Sequence, residues 1–179
     1  DINFGGTGTL NNGTTLTKNG SGTATFNGSV FGSGSLAVSS GTMTLAGTNR
    51  TSLNSFSGTA TANTGGTLKV TSNTGLGDAA VNVDGGTLNL DATAGNIDIT
   101  NANNPNVITL NNGTLAVTSN GTVGQDTVTM NAPVSIAAGS DNNITIAAST
   151  SLTQNSNITA AVADSGDLTV SGTGTWNMN

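Results

Sequence analysis

The stretch Gly66–Asn73, GTLKVTSN, returns almost unchanged as GTLAVTSN at Gly113–Asn120. A third start of the same kind, GTLNL at Gly86–Leu90, lies between the two copies. The three starts divide this part of the chain into steps of about 20 and about 27 residues, which is the length of one coil in many solenoid proteins. We therefore interpret each step as one coil.

Within each step the apolar side chains occupy every second position. Leu68 and Val70 flank Lys69, and the step that begins at Gly86 repeats the pattern, which is the period of a strand with one buried face. Such short strands cannot offset an ordering cost of roughly 1–2 kcal/mol per residue by themselves. They need equivalent strands stacked on both sides, about 4.8 Å away, which also satisfies their backbone hydrogen bonds. The sequence therefore predicts an all-β fold, a parallel β-solenoid.

The predicted solenoid covers residues 1–179 as a single domain of roughly 7–9 coils. The alternation is interrupted at 47–66, where Arg50, Leu53 and Phe56 fall out of phase, and at 100–106, where Pro105 cannot donate to a strand ladder. We expect longer loops near these two ranges. The sequence offers no amphipathic segment long enough for a capping helix, so we expect the ends of the solenoid to be open.

Composition excludes several classes of function. Only 7% of the residues are charged and the net charge is −6, with Lys18, Arg50 and Lys69 as the three cations. So few cations cannot neutralise a phosphate backbone, and we expect no nucleic-acid partner. No apolar run approaches the roughly 20 residues of a membrane-spanning helix, so we predict no transmembrane segment. Because His, Cys, Glu and Tyr are absent, we predict no catalytic residue, no metal site, no cofactor and no enzymatic activity.

The nine acidic residues are all aspartates, and they leave one catalytic alternative open. Cleavage of a glycoside on a β-helix needs two carboxylates across a groove, and the candidate pairs are Asp91 with Asp98 and Asp164 with Asp167. Aspartate beside Gly, Asn or Ser more often forms turns, and we favour that interpretation. A module that binds or cleaves polysaccharide is kept as an alternative.

Threonine pairs supply a second alternative. If Thr-x-Thr pairs fell on one face, their hydroxyl and methyl groups would form flat ladders of the kind that ice-binding proteins use. Their spacing along the chain is uneven, and threonine is also a common outward residue of strands. The pairs are Thr7/Thr9, Thr23/Thr25, Thr42/Thr44, Thr59/Thr61, Thr127/Thr129 and Thr173/Thr175.

The last strands of the chain look like the first ones. Leu168–Trp176, LTVSGTGTW, matches Leu16–Ala24, LTKNGSGTA, in glycine placement and in alternation. An open solenoid end presents unpaired backbone groups, which are a template for another chain. We expect these ends to meet either further copies of the chain or the rest of a longer polypeptide. The residues that we assign to end-to-end assembly, as a hypothesis, are Ile2, Phe4, Trp176 and Met178.

The repeats also resemble a known family. The segment Leu16–Thr23, followed by the Gly-Gly-Thr-Leu and Asn-Gly-Thr-Leu starts, is similar to the autotransporter-associated β-strand repeat of bacterial surface proteins. The resemblance implies a right-handed parallel β-helix that is extracellular or displayed on the bacterial cell surface. Our leading hypothesis is a structural or adhesive element whose partners are copies of itself, the rest of a longer passenger, and host or matrix surfaces.

Overall fold

The computed structural model describes residues 1–51, 55–99, 107–119, 126–160 and 167–179. Within these ranges the protein is built from short strands joined by tight corners, and the one helical segment among them is a single 3₁₀ turn at Ala92–Ala94. The strands are β1 (Ile2–Phe4), β2 (Gly8–Thr9), β3 (Thr15–Lys18), β4 (Thr23–Phe26), β5 (Val30–Phe31), β6 (Ser35–Val38), β7 (Gly41–Leu45), β8 (Thr59–Asn63), β9 (Gly66–Val70), β10 (Ala80–Asp84), β11 (Thr87–Asp91), β12 (Ile97–Ile99), β13 (Ile108–Asn111), β14 (Thr114–Thr118), β15 (Asp126–Met130), β16 (Val134–Ile136), β17 (Asn142–Ile146), β18 (Thr150–Gln154), β19 (Ile158–Ala160), β20 (Leu168–Gly172) and β21 (Thr175–Met178).

The strands form parallel sheets whose order follows the winding of the chain. Sheet 1 has eight strands in the order β1-β4-β7-β9-β11-β14-β17-β20, and sheet 2 has seven in the order β3-β6-β8-β10-β13-β16-β19. Sheet 3 contains β12-β15-β18-β21, and sheet 4 contains β2-β5. The chain passes from sheet 1 to sheet 2 and back, in most circuits by way of a strand of sheet 3 or sheet 4, so each circuit is one coil. The eight stacked strands confirm the predicted β-solenoid and agree with the predicted number of coils.

The quoted repeats stack in register. Leu88 is paired with Leu68 on one side and with Leu115 on the other, and all three side chains are completely buried. The same position recurs in every strand of sheet 1, and we call this set the first inward column. From the first coil to the last it contains Ile2, Ala24, Met43, Leu68, Leu88, Leu115, Ile144 and Val170.

A second inward column runs beside the first. At its beginning the rings of Phe4 and Phe26 are stacked, with centroids 4.6 Å apart. The last residue of the column is Gly172, so the column begins with an aromatic side chain and ends with a residue that has no side chain. The second inward column contains Phe4, Phe26, Leu45, Val70, Leu90, Val117, Ile146 and Gly172.

The range 47–66, where we expected a coil carrying a longer loop, includes a strand and the start of the next one. β8 occupies Thr59–Asn63 and β9 begins at Gly66. Ala60 and Ala62 are the buried residues of β8, and their small side chains did not stand out as an apolar alternation. Phe56 is also completely buried, and it bridges to the backbone of the coil before. The predicted loop at 100–106 and Leu53 lie outside the described residues.

The match between the two ends of the chain does not mean that they occupy the same side of the coil. Leu16 lies in β3, on sheet 2, where it pairs with Leu36. Leu168 lies in β20, on sheet 1, where it pairs with Asn142. The shared motif therefore specifies a strand, a glycine corner and a second strand, and such a corner serves equally well at different edges of the coil.

Two kinds of residue fix the spacing of the coils. Asn49 is fully buried; its Oδ1 accepts a hydrogen bond from the Val30 amide at 2.7 Å, and its Nδ2 donates to the Gly75 carbonyl at 2.6 Å. This one side chain thus ties its own coil to both neighbours. Glycine permits the closest approach of backbones: a Cβ on Gly58 would lie 1.6 Å from the carbonyl oxygen of Gly34.

Candidate functional site

The first coil leaves core positions open to solvent. Ile2, Phe4 and Leu16 lie in inward positions, yet they are 60%, 41% and 37% exposed. The residues that pair with Phe4 and Leu16 in the second coil, Phe26 and Leu36, are buried. The exposure therefore results from the absence of a further coil on this side, within the described residues.

This exposed end is concave. One depression of about 510 Å³ is lined by Phe4, Leu10, Leu16, Phe26 and Val30 together with the glycine-rich segment 5–9. A second depression, of about 310 Å³, adjoins it beside Ile2 and Lys18. The Lys18 ammonium folds back onto backbone carbonyls, including that of Gly20 at 2.6 Å. Both depressions are thus lined by side chains at the end of the apolar core, including Phe4, Leu16 and Phe26. We call this surface, with β1, β2 and β3 at its rim, the leading face.

The last coil forms the opposite surface, which we call the trailing face. Val170 and Met178 are 41% and 61% exposed. Trp176 is half-buried and packs against the core, in register with Leu152. Among the described residues β20 pairs only with β17 and β21 only with β18, so one edge of each strand has no strand partner there.

A ladder of amide side chains leads to the trailing face. Asn131 Nδ2 donates to Asp98 Oδ1 at 3.0 Å, Asn155 Nδ2 to Asn131 Oδ1 at 3.0 Å, and Asn179 Nδ2 to Asn155 Oδ1 at 2.8 Å. Every bond in this asparagine ladder points the same way, because each coil donates to the coil before it. The ladder therefore has a direction, with Asp98 as its first acceptor and Asn179 Oδ1 as an acceptor at the trailing face.

Backbone amides show the same direction at several corners. Asp1 Oδ1 accepts from the Thr23 amide at 2.8 Å, Asn96 Oδ1 from the Thr127 amide at 3.0 Å. In each pair the acceptor belongs to the earlier coil and the donor to the later one. At other corners the donor belongs to the earlier coil: the Val30 amide donates to Asn49 Oδ1 and the Gly113 amide to Asn142 Oδ1.

The predicted end residues are distributed over both faces. The structure places Ile2 and Phe4 together on the leading face, and Met178 and Trp176 on the trailing face, with Trp176 the most buried of the four. Leu16 and Val170 belong to the same surfaces and were not predicted. Both residues could have been predicted from the sequence, because an inward residue of any terminal coil lacks a neighbour on one side.

The aspartates proposed as a glycosidase pair have structural partners. Asp91 Oδ2 lies 2.5 Å from the Lys69 ammonium, and Asp91 Oδ1 accepts from the amide and hydroxyl of Thr93. Burial raises the pKa of Asp91, but these hydrogen bonds and the charge of Lys69 outweigh it and hold the pKa below the ordinary value. A carboxyl kept ionised in this way is unsuited to act as a general acid.

Two of the other candidates, Asp98 and Asp167, lie within the described residues. Asp98 is the first acceptor of the asparagine ladder, and its amide donates to Asn73 Oδ1 at 3.0 Å. Asp167 contributes its backbone carbonyl to the amide of Asn142, and Asp164 lies outside the described residues. No group of three or more acidic side chains in the described ranges could hold a metal ion.

The threonine pairs are spread over different sheets. Thr23/Thr25 and Thr42/Thr44 stack on sheet 1, whereas Thr59/Thr61 belong to sheet 2. Sheet 1 nevertheless carries one nearly continuous outward column, which the spacing of the pairs along the sequence did not reveal. This threonine column contains Thr23, Thr42, Thr67, Thr87, Thr114, Asn143 and Thr169.

Comparison with known proteins does not narrow these possibilities, because no protein-family model, curated protein or solved structure matches the chain. Across the residues that the structure describes, no helix has the length and apolar character needed to cross a membrane.

Proposed function

We propose that the chain is a non-enzymatic structural and adhesive element of a bacterial cell surface or extracellular matrix. The resemblance to the autotransporter-associated repeat motivates the location. The proposed structural role rests on the unbroken stack of eight strands in sheet 1 and on its two inward columns. At about 4.8 Å per step these strands span about 34 Å, and every inner coil is held by the hydrogen bonds of both neighbours.

The outward side of sheet 1 supports a role in adhesion. It presents the threonine column, and the neighbouring cation, Lys69, is neutralised by Asp91. Hydroxyl groups at regular spacing with little free charge suit contact with uncharged, hydrogen-bonding surfaces such as polysaccharide fibres. A surface of this kind does not select strongly charged partners.

Adhesion can be tested with microbeads that carry the purified chain at a fixed density and are washed over cellulose, chitin, collagen and glass. We expect stronger retention than for beads that carry an unrelated acidic protein of equal size. A double variant on the threonine column, Thr67→Lys with Thr87→Lys, should lose this retention. Its matched control adds the same charges to sheet 2, as Thr109→Lys with Ser135→Lys, and should keep it.

Two results would contradict the proposal. Retention of the chain no stronger than that of the control protein on every surface would remove the adhesive role. Release of soluble sugars from cellulose or chitin would remove the non-enzymatic role.

The threonine column also favours a second candidate, ice binding. The column is in register over five consecutive threonines, from Thr23 to Thr114, although Lys69 interrupts the parallel column next to it. Thermal hysteresis of the purified chain that disappears in the Thr67→Lys, Thr87→Lys variant would support this candidate. Freezing behaviour identical to that of an unrelated protein would reject it.

A further inference from the structure

We propose that Asn112 is a site of spontaneous deamidation which the fold protects, and which reacts irreversibly when this part of the solenoid opens. An asparagine that precedes glycine is especially prone to the reaction, because glycine lets its backbone nitrogen approach the asparagine side chain. The inference is independent of the proposed adhesive role. Five asparagines of the chain precede glycine, namely Asn12, Asn19, Asn27, Asn112 and Asn120.

The reaction needs no enzyme and no reactant other than water. The nitrogen of Gly113 loses its proton and attacks the side-chain carbonyl carbon of Asn112, which closes a succinimide ring and releases the side-chain nitrogen as ammonia. Water then opens the ring at one of its two carbonyl groups. The products have aspartate or isoaspartate at position 112, and in isoaspartate the main chain runs through the former side chain and is one carbon atom longer.

Hydrogen bonds to the next coil hold both reacting groups in the folded protein. The Gly113 amide donates to Asn142 Oδ1 at 3.0 Å, and both residues are buried. Asn112 Oδ1 accepts from the amide of Asp141 at 3.1 Å. A buried amide that donates a hydrogen bond gives up its proton only when the structure opens locally. The native contact between these two coils therefore prevents the attack.

The surroundings of Gly113 are fixed on both sides. In the next coil, Asn142 Nδ2 donates to the carbonyl and hydroxyl oxygens of Ser140, at 3.1 and 2.6 Å. In the preceding coil, the Val83 carbonyl oxygen would lie 2.5 Å from a Cβ placed on Gly113. Gly113 is thus enclosed between two coils, and the succinimide ring can form only after they separate.

The products do not fit back into this enclosure. Isoaspartate lengthens the main chain directly before Gly113, whose position is set by its contacts with Val83 and Asn142. Aspartate places a carboxylate beside the main chain of Asp141, whose own side chain carries a like charge. Opening at this corner therefore leaves a covalent change, and a molecule that has reacted does not regain its original stability.

The chain supplies a matched internal reference for the test. Asn11–Thr14 and Asn111–Thr114 have the same sequence, Asn-Asn-Gly-Thr. Asn12 and Gly13 are exposed in the turn between β2 and β3, and no atom lies within 4 Å of a Cβ placed on Gly13. The two asparagines therefore share their local chemistry and differ in their enclosure.

Peptide mapping by mass spectrometry measures deamidation at Asn12 and Asn112 in the same sample. We expect nearly equal rates in the chain unfolded by urea. In the folded chain we expect Asn112 to react at least about tenfold more slowly than Asn12. Between these limits the rate at Asn112 should rise with urea in step with the unfolded fraction.

A pair of variants tests the role of the hydrogen bond from Gly113. Asn142→Ala removes the acceptor and should raise the rate at Asn112 by at least about tenfold while leaving Asn12 unchanged. Asn143→Ala is the matched control, because Asn143 is exposed on the outward side of the same strand, and it should change neither rate. Circular dichroism establishes that each variant is folded, and the urea series on the unaltered chain tests the protection without any substitution.

Three results would overturn the proposal. The first is equal rates at Asn112 and Asn12 in the folded, unaltered chain. The second is a rate at Asn112 that is no higher in folded Asn142→Ala than in Asn143→Ala. The third is full recovery after the reaction: molecules deamidated at Asn112, separated by ion-exchange chromatography and refolded, would have the urea midpoint of the unaltered chain.

Discussion

Replacing Leu88 by Ala tests how strongly the stacked coils depend on the first inward column. The side chain is completely buried between Leu68 and Leu115. The carbons removed account for about 2.4 kcal/mol at about 0.8 kcal/mol each. The backbone ladders hold the neighbouring coils apart, so the cavity cannot close, and about 60 Å³ of empty space adds about 1.4 kcal/mol. We expect the free energy of unfolding to fall by about 4 kcal/mol.

The measurement is urea unfolding followed by far-ultraviolet circular dichroism and by fluorescence of the single tryptophan, Trp176. Coincident transitions establish that the whole stack unfolds together, and the change in midpoint at unchanged slope then gives the loss of stability. Ile2→Ala is the matched control, because it removes a similar side chain from the same column at the exposed end and should cost about 1 kcal/mol. Equal losses for Leu88→Ala and Ile2→Ala would refute the reasoning.

Three further predictions concern backbone contact, buried polar groups and pH. Gly58→Ala places a Cβ against the carbonyl oxygen of the preceding coil and should destabilise the fold by about 1–3 kcal/mol in the same urea assay. Gly5→Ala, with no atom within 4 Å of the added Cβ, should change stability by less than about 0.5 kcal/mol. Asn49→Ala leaves a buried donor and a buried acceptor unpaired and should cost about 2–4 kcal/mol; a loss below that of an ordinary surface substitution would contradict its role as a tie between coils. Because the pKa of Asp91 is lowered in the fold, this carboxylate stabilises the protein above its unfolded-state pKa and stops doing so as the pH falls through its folded-state pKa. Lys69→Met should therefore destabilise the protein at neutral pH, and urea midpoints of the two proteins should converge in acid; a constant difference at all pH values would contradict the pairing.

The sequence was sufficient to predict the fold because the repeat at Gly66, Gly86 and Gly113 sets the phase of three successive coils. The alternation of apolar and polar residues then identified most of the inward residues that are Leu, Ile, Val or Phe. It failed for β8, whose inward residues are alanines, because Ala60 and Ala62 carry too little apolar surface to distinguish a strand from a loop.

Sequence reasoning also could not assign strands to sides of the coil. The similar segments at Leu16 and Leu168 lie on different sheets, since a glycine corner looks the same at every edge. The threonine column could not be predicted either, because it depends on the register between coils of unequal length. Asn49 was missed because the sequence does not show that the oxygen and the nitrogen of its side-chain amide both bind backbone atoms of neighbouring coils.

The end surfaces were partly predictable. Ile2, Phe4, Trp176 and Met178 were chosen because they lie in terminal strands, and the structure places them on the leading and trailing faces, with Trp176 half-buried. The direction of these faces could not be read from the sequence, because it depends on the hydrogen bonds between Asn131, Asn155 and their neighbours in adjacent coils.

Stacking of equivalent residues in adjacent coils can be measured directly from nuclear Overhauser effects between selectively labelled leucine methyl groups. We predict strong cross-peaks between Leu68 and Leu88 and between Leu88 and Leu115, and a much weaker one between Leu68 and Leu115, because one coil lies between them. Absence of the two strong cross-peaks, with the three methyl groups accessible to a soluble paramagnetic probe, would contradict the solenoid and every functional proposal that rests on it.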